Sequence, residues 1–430
     1  SVATVFPVRF DGLGETVWTW RAKAVGAGAE LTDATESRFE VAHPVPELRE
    51  VRYARITNPS KPAPVPPAPE KKPDPKAKAK AKPLPVLQAE PMGPINLLAK
   101  VNPQILEAQG AVQIHLTTTR LTEVRDGLDY LLKYPYGCVE QTTSSTMPWL
   151  ALGGFHTLFP QQLEPARARE AIQKGVNRLL QMVVEGEGGL AYWPGGSEPN
   201  RWGSAYGGLM LLRARDTGAA MPAEVVDSLM DYLAKQLRGL DTETDPYVIS
   251  DAALSLYTLA KAKRAEPAYH TLLFERRAKL PEAAKLYLGL AMLISDAPHE
   301  QVKTLLGVGA AGEAPPVSAG MRHWAGDGPN KALRLLAYTH MGLTQSADAL
   351  ANEIWAVRNL NGDWGNTYSN AWTLTALAAY ERSRKATGRP LEAVIAWGDA
   401  NQTVDLSAEQ PLAEVTLPLE EKRAQSALTV

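Results

Sequence analysis

Cys138 and Gln141 are three residues apart in the segment Tyr134-Pro135-Tyr136-Gly137-Cys138-Val139-Glu140-Gln141. Pro135 and Gly137 mark a turn, and the residues after them open a helix. Positions three apart on a helix share a face, so the Cys138 sulfur can reach the side-chain amide carbon of Gln141. Attack there with loss of ammonia gives an internal β-cysteinyl-γ-glutamyl thioester. A thiolate leaves far more readily than an amine, so this bond is a much better acyl donor than an amide. A lysine amine can then take the acyl group and free the Cys138 thiol. The protein supplies the electrophile, the reverse of a cysteine protease, in which the thiolate attacks. Glu140 lies between the two and reads either as a proton carrier during ring closure or as a solvated carboxylate.

The elements that hold this motif follow from hydrophobic period. From about 121 to about 386 the apolar spacing is three to four, as in Leu121, Val124, Leu128, Leu131 and Leu132. Within that block a layout repeats at roughly 45-residue spacing, in the range of repeat architectures. Small residues and an aromatic begin a helix apolar almost all round, and a more polar helix follows. The all-apolar helices are at 141–152, 202–212, 248–259, 283–293, 332–343 and 368–380. Helices apolar on every face belong inside, so six inner–outer pairs predict a closed α/α toroid rather than an open solenoid. The fold class expected is therefore mainly α.

Both flanks read as β structure. Residues 1–57 alternate apolar and polar side chains in short runs, such as Thr16-Val17-Trp18-Thr19-Trp20-Arg21 and Arg38-Phe39-Glu40-Val41. The pattern returns at Ala111-Val112-Gln113-Ile114-His115-Leu116. Beyond Pro390 it returns again, at 393–397, 402–406 and 413–417. Strands on both sides of a helical block predict one domain inserted in another, the two flanks completing one β-sandwich. Residues 58–95 differ: ten prolines and seven lysines fall between Pro59 and Pro85. That composition predicts an extended, mobile linker.

Composition narrows the function. The 430 residues carry 45 Lys plus Arg and 47 Asp plus Glu, a formal charge of −2, so no basic field marks a nucleic-acid binder. One cysteine excludes an internal disulfide and a zinc site of several thiolates. No cofactor or metal is expected; Asp241, Glu243 and Asp245, alternating with threonine, read as a solvated loop before a helix. No apolar run is long enough to cross a bilayer. The start, Ser1-Val2-Ala3-Thr4-Val5, lacks a signal-peptide pattern, and both ends read as strand, so a fragment of a longer chain is expected.

Gly137-Cys138-Val139-Glu140-Gln141 resembles the Gly-Cys-x-Glu-Gln signature of thioester proteins, the α2-macroglobulins and complement components. The longer Tyr134–Ser144 stretch is similar to the bacterial α2-macroglobulin family. So is a second block, Gly188-Gly189-Leu190-Ala191-Tyr192-Trp193-Pro194-Gly195-Gly196, leading into Trp202-Gly203-Ser204-Ala205-Tyr206. The resemblance implies an α/α toroid thioester domain at 119–387. The halves of a CUB-like β domain would be 44–118 and 388–430, after the end of a macroglobulin-like β domain at 1–43. It implies a protease inhibitor rather than an enzyme: a covalent trap for attacking proteases through their lysines, joined to other domains of the same longer chain. It also implies a periplasmic location, with membrane anchoring only through a lipoprotein N-terminus absent from this sequence.

A thioester hydrolyses in water, so a resting protein must keep water and amines away from it. The resemblance points to Tyr134 as a lock. Trp193 and Tyr192 of the second block are the next candidates for cover, then Tyr136 and Met147. All five also read as ordinary toroid core. Complement proteins that transfer to hydroxyls carry a histidine before the third inner helix. The corresponding stretch, 241–247, has none, which favours direct attack by amines; His323 reads as structural. Gly362-Asp363-Trp364-Gly365-Asn366 reads as a tight turn opening the last inner helix. Terpenoid cyclases and prenyltransferases share the toroid, but their acidic and Asp/Cys/His zinc motifs are poorly matched here. A macroglobulin relative that acts sterically, without an active thioester, is the other alternative.

Overall fold

The computed structural model describes residues 14–23, 32–41, 96, 98, 110–125, 128, 132, 137–160, 162–308, 327–359, 362–384, 391–407, 410–419, 423 and 426–430. Tyr134, Tyr136, His323 and the Pro/Lys-rich segment lie outside them. Among the described residues there are eleven α-helices. In chain order they are α1 (Val139–Leu152), α2 (Pro165–Leu180), α3 (Arg201–Asp216), α4 (Ala223–Lys235), α5 (Pro246–Lys261), α6 (Pro267–Glu275), α7 (Glu282–Ile294), α8 (His299–Leu306), α9 (Asp327–His340), α10 (Thr344–Ala356) and α11 (Thr367–Ser383).

The odd-numbered helices form the inner layer. Each packs on the next, and α11 packs back on α1, so the six close into a ring. Their composition requires this. Helix α3 buries every residue from Gly203 to Leu212, and α11 every residue from Tyr368 to Ala378, so neither has a face for water. The even-numbered helices bury one stripe each. In α2 it is Ala168, Ile172, Val176 and Leu179, spaced four, four and three. Each of the last three side chains taken from water contributes about 1.5–3 kcal/mol, against which the helix's ordering entropy is set. Aromatics fill the ring's centre: Tyr206 meets Tyr368 at 5.0 Å and Trp372 at 6.0 Å between centroids, and Tyr287 meets Trp372 at 5.9 Å.

Capping side chains fix where the inner helices begin. Asn200 accepts from the Gly203 amide, Asp245 from Tyr247 and Asn366 from Ser369. Asp245 thus ends the acidic 241–245 loop as a helix cap. The fifth inner helix stops earlier than the apolar pattern suggests. It ends at His340, and Gly342, in the left-handed region at φ 69°, turns the chain towards α10.

The strands are β1 (Gly14–Lys23), β2 (Thr32–Val41), β3 (Gly110–Thr117), β4 (Leu391–Trp397), β5 (Ala400–Leu406), β6 (Leu412–Leu419) and β7 (Leu428–Thr429). Strands β1 and β2 form an antiparallel hairpin whose Trp18 ring lies 5.3 Å from that of Phe39. Strand β3, before the ring, pairs antiparallel with β6, after it, with Ile114 opposite Val415. Strand β4 pairs with β5 and β7. Ile114, Ile395, Trp397, Val415, Leu417 and Leu428 form a second, smaller core. The helical block is therefore inserted between strands that share one core.

Candidate thioester site

Helix α1 is capped by Cys138 itself. The backbone of Cys138 is extended (φ −75°, ψ 171°), and its sulfur accepts from the Gln141 amide at 3.5 Å. The Gln141 Oε1 in return accepts from the Cys138 amide at 3.5 Å. This is a capping box in which sulfur replaces the usual hydroxyl. The sequence pattern put both residues on the helix face. The structure instead sets Cys138 just outside the helix, and the reciprocal bonds bring its sulfur and the Gln141 side chain together. Cys138 is unpaired and only 3% exposed.

The second glycine-rich block holds this turn in place. Between α2 and α3 the chain makes antiparallel bridges, Val183 with Leu190 and Ala191 with Pro199. Ser204 donates to the Leu190 carbonyl and accepts from the Leu190 amide. So anchored, the block presents the Tyr192 carbonyl to the Val139 amide at 3.0 Å, satisfying one of the free donors of the α1 N-terminus. Glycine permits the approach: a Cβ on Gly203 would stand 2.6 Å from Val139 Cγ1. Arg178 of α2 donates to the Gly137 carbonyl at 3.2 Å from the other side.

Tyr192 is the aromatic at the sulfur. Burial, then a hydrogen bond to Cys138 and the Cys138 and Glu140 charges, all push its hydroxyl well above the usual tyrosine range, so it stays protonated. Trp193 packs edge-on against Tyr192 at 6.0 Å but is itself 53% exposed. Met147 is fully buried on α1. Nine residues from Cys138, it stands about 13 Å along the axis, where its sulfur accepts from Arg213.

Glu140 is 1% exposed, so the solvated alternative does not describe it. Its Oε1 accepts from Ser144 and from Thr367, each at 2.7 Å, which ties the first turn of α1 to the first turn of α11. Ser144 also meets the Tyr206 hydroxyl at 3.0 Å. Burial raises the Glu140 carboxyl above its ordinary range, with the two hydroxyl bonds opposing more weakly. Sequence inspection missed Ser144, Tyr206, Thr367 and Arg178. The available signal was polar residues on otherwise apolar inner helices, with Ser144 one turn after Glu140.

No protein-family model matches the chain. Its sequence is 29% identical over 156 residues to alpha-2-macroglobulin of Escherichia coli (strain K12), covering 36% of this chain and 9% of that protein. It is 29% identical over 176 residues to alpha-2-macroglobulin of Xylella fastidiosa (strain Temecula1), covering 38% of this chain and 11% of that protein. The matches thus span only 9% to 11% of the length of these relatives. The fold resembles native E. coli alpha-2-macroglobulin from domain MG7 to the C-terminus: TM-score 0.59, 16% identity, 97% of this chain and 60% of that one. Salmonella alpha-2-macroglobulin reacted with methylamine gives TM-score 0.55 at 17% identity, over 97% of this chain and 27% of that one. The E. coli protein activated by porcine elastase gives 0.50 at 18% identity, over 76% and 29%. The sequence is thus similar to bacterial alpha-2-macroglobulins over more than a third of the chain, and the fold resembles theirs across nearly all of it.

Proposed function

We propose that the chain is the reactive part of a broad-spectrum protease trap, in which Cys138 and Gln141 form an internal thioester that lysine amines open. The observation that carries this reading is the reciprocal cap, which holds the sulfur on the Gln141 amide and the Gln141 side chain on the Cys138 amide. In ring closure the sulfur attacks the Gln141 amide carbon, the carbon–nitrogen bond breaks and ammonia leaves. On trapping, a lysine amine of the protease attacks the same carbon and the carbon–sulfur bond breaks. The amine's proton passes to sulfur, leaving an isopeptide bond and the Cys138 thiol. Glu140, kept protonated more readily by its burial and one residue from Gln141 in the chain, is the proposed proton carrier. A helix N-terminus favours negative charge, which suits sulfur as the leaving group.

The relatives support this choice, since one was reacted with methylamine, a small amine, and another was activated by elastase. On this reading residues 119–387 are the thioester domain and 44–118 with 388–430 the halves of a CUB-like domain, supported by the β3–β6 pairing. Residues 1–43 would close a macroglobulin-like domain, and the whole protein would act in the periplasm.

Intact mass before and after methylamine, with a thiol assay, tests the proposal. The expected result is a mass one ammonia below the sequence value and no free thiol until methylamine adds and releases it. A full sequence mass with a free thiol from the outset would reject the covalent trap in favour of a steric one.

A further inference from the structure

Five inner helices bring their C-terminal turns to one cavity of ≈ 280 Å³. Leu150 and Ala151 come from α1, Arg213 from α3, Lys261 from α5, His340 from α9 and Arg382 from α11. These helices therefore run in one direction, and the cavity lies at the end of the ring opposite Cys138, about 20 Å along α1. Its wall is strongly one-sided in charge. Arg213, Lys261 and Arg382 line it with His340, and Asp216 is the sole carboxylate among the described lining residues.

Helix C-termini favour cations, so these groups partly answer the inner-helix dipoles, and Arg382 also donates to the Ala151 carbonyl at 2.8 Å. That leaves much of the donor capacity unused. The Arg213 guanidinium meets only uncharged partners, a sulfur at 3.8 Å, the Thr375 hydroxyl at 3.5 Å and the Tyr257 hydroxyl. No carboxylate lies within ion-pair distance of Arg213, Lys261 or Arg382 among the described residues. Asp216 lies 3.8 Å from Arg215, outside the cavity lining. Burial first, and then the charge of Arg213, lower the Lys261 ammonium below its ordinary range, with the Asp216 carboxylate opposing more weakly. The same two causes act in the same order on Arg382. Converging cations that destabilise one another in a recess are relieved by an anion placed among them.

We propose that this cavity is a binding site for a small phosphate-type dianion taken from solution, held by Arg213, Lys261 and Arg382. It is separate from the thioester and does not depend on that bond being formed. The volume suits a phosphate or phosphate monoester, and the arginine fork suits its paired oxygens.

The test is calorimetric titration of the intact chain with inorganic phosphate at fixed ionic strength, against sodium chloride as control. Saturable one-to-one binding is expected, weakened at least tenfold in Lys261→Met and retained in Lys261→Arg. Lys261→Met removes a desolvated charge, so the fold should survive, and near-ultraviolet circular dichroism checks that it does. Absence of saturable binding, or an unchanged affinity in a folded Lys261→Met, would overturn the site. Co-sedimentation with phosphatidic-acid vesicles but no response to phosphate would overturn its assignment to a soluble anion.

Discussion

Tyr192 carries the hydroxyl whose titration Cys138 perturbs, while the larger Trp193 ring is mostly in solvent. Removing that hydroxyl while keeping the ring isolates its part in protecting the site. A net hydrogen bond is worth about 0.5–1.5 kcal/mol, so Tyr192→Phe should raise the methylamine reaction rate about two- to tenfold, with the circular dichroism spectrum unchanged. Trp193→Ala should change it less, and the reverse order would refute this assignment of the cover. Glu140 carries a pH signature. Its folded-state pKa is raised, so its contribution to stability is intact below the unfolded carboxyl value and is lost as pH rises through the folded one. Glu140→Gln keeps an acceptor for Ser144 and Thr367 without that penalty, which is about 1.4 kcal/mol per unit of pKa displacement. Melting curves from pH 4 to 8 should show the variant gaining on the wild type as pH rises. A constant difference would mean that Glu140 does not titrate in this range.

At the scale of elements, the turn before α1 depends on the close contact between α3 and Val139. Gly203→Ala gains about 1 kcal/mol in helix propensity. It also drives a methyl to 2.6 Å from Val139 Cγ1, and overpacking of that kind costs about 1–3 kcal/mol. A lower melting temperature is expected, together with faster spontaneous release of the Cys138 thiol, because Val139 carries the bond to the Tyr192 carbonyl. Higher stability with unchanged thiol release would show that the contact relaxes freely. The inner helices were readable from sequence because each is apolar almost all round, whereas Asn200, Asp245 and Asn366 were not read as the caps they form. Cys138 and Gln141 were readable for a local reason, being three apart in one turn. The partners of Glu140 were not, because Thr367 lies 227 residues away and meets it only when the ring closes. Tyr192 over Trp193 was equally hidden: two adjacent aromatics in a loop take opposite orientations, and which one faces the sulfur depends on the bridges of Leu190 and Ala191.

Across the whole molecule, the ring and the two small sheets beside it have separate cores, and the alternation of 110–117 and 412–419 shows that each strand has an apolar face without showing that the two pair. A polar junction connects the units. Arg125, just before the ring, donates to Glu414 of β6 at 2.7 Å and to the Leu158 carbonyl at 3.0 Å, and His115 of β3 reaches the same carboxylate at 3.0 Å. Desolvation pushes the Glu414 carboxyl up, but the bond and charge of Arg125, with His115 behind them, outweigh it and leave the carboxyl below its usual range. The junction's contribution is therefore present above the unfolded carboxyl value and fades as pH falls through the lowered one. The carboxylate is half exposed, so the contribution is at most about 1 kcal/mol. For a unit as small as the two sheets, that still shifts melting by about 4–8 °C, and for the larger ring by half as much or less. Scanning calorimetry at neutral pH should therefore show Glu414→Gln lowering the transition of the two small sheets by a few degrees and the ring's by half as much or less. As pH falls through the lowered carboxyl value the difference between variant and wild type should shrink, since the wild type then loses the charge that the variant lacks. Equal shifts in both transitions would instead mean that ring and sheets unfold as one cooperative body, with the junction acting inside a single core.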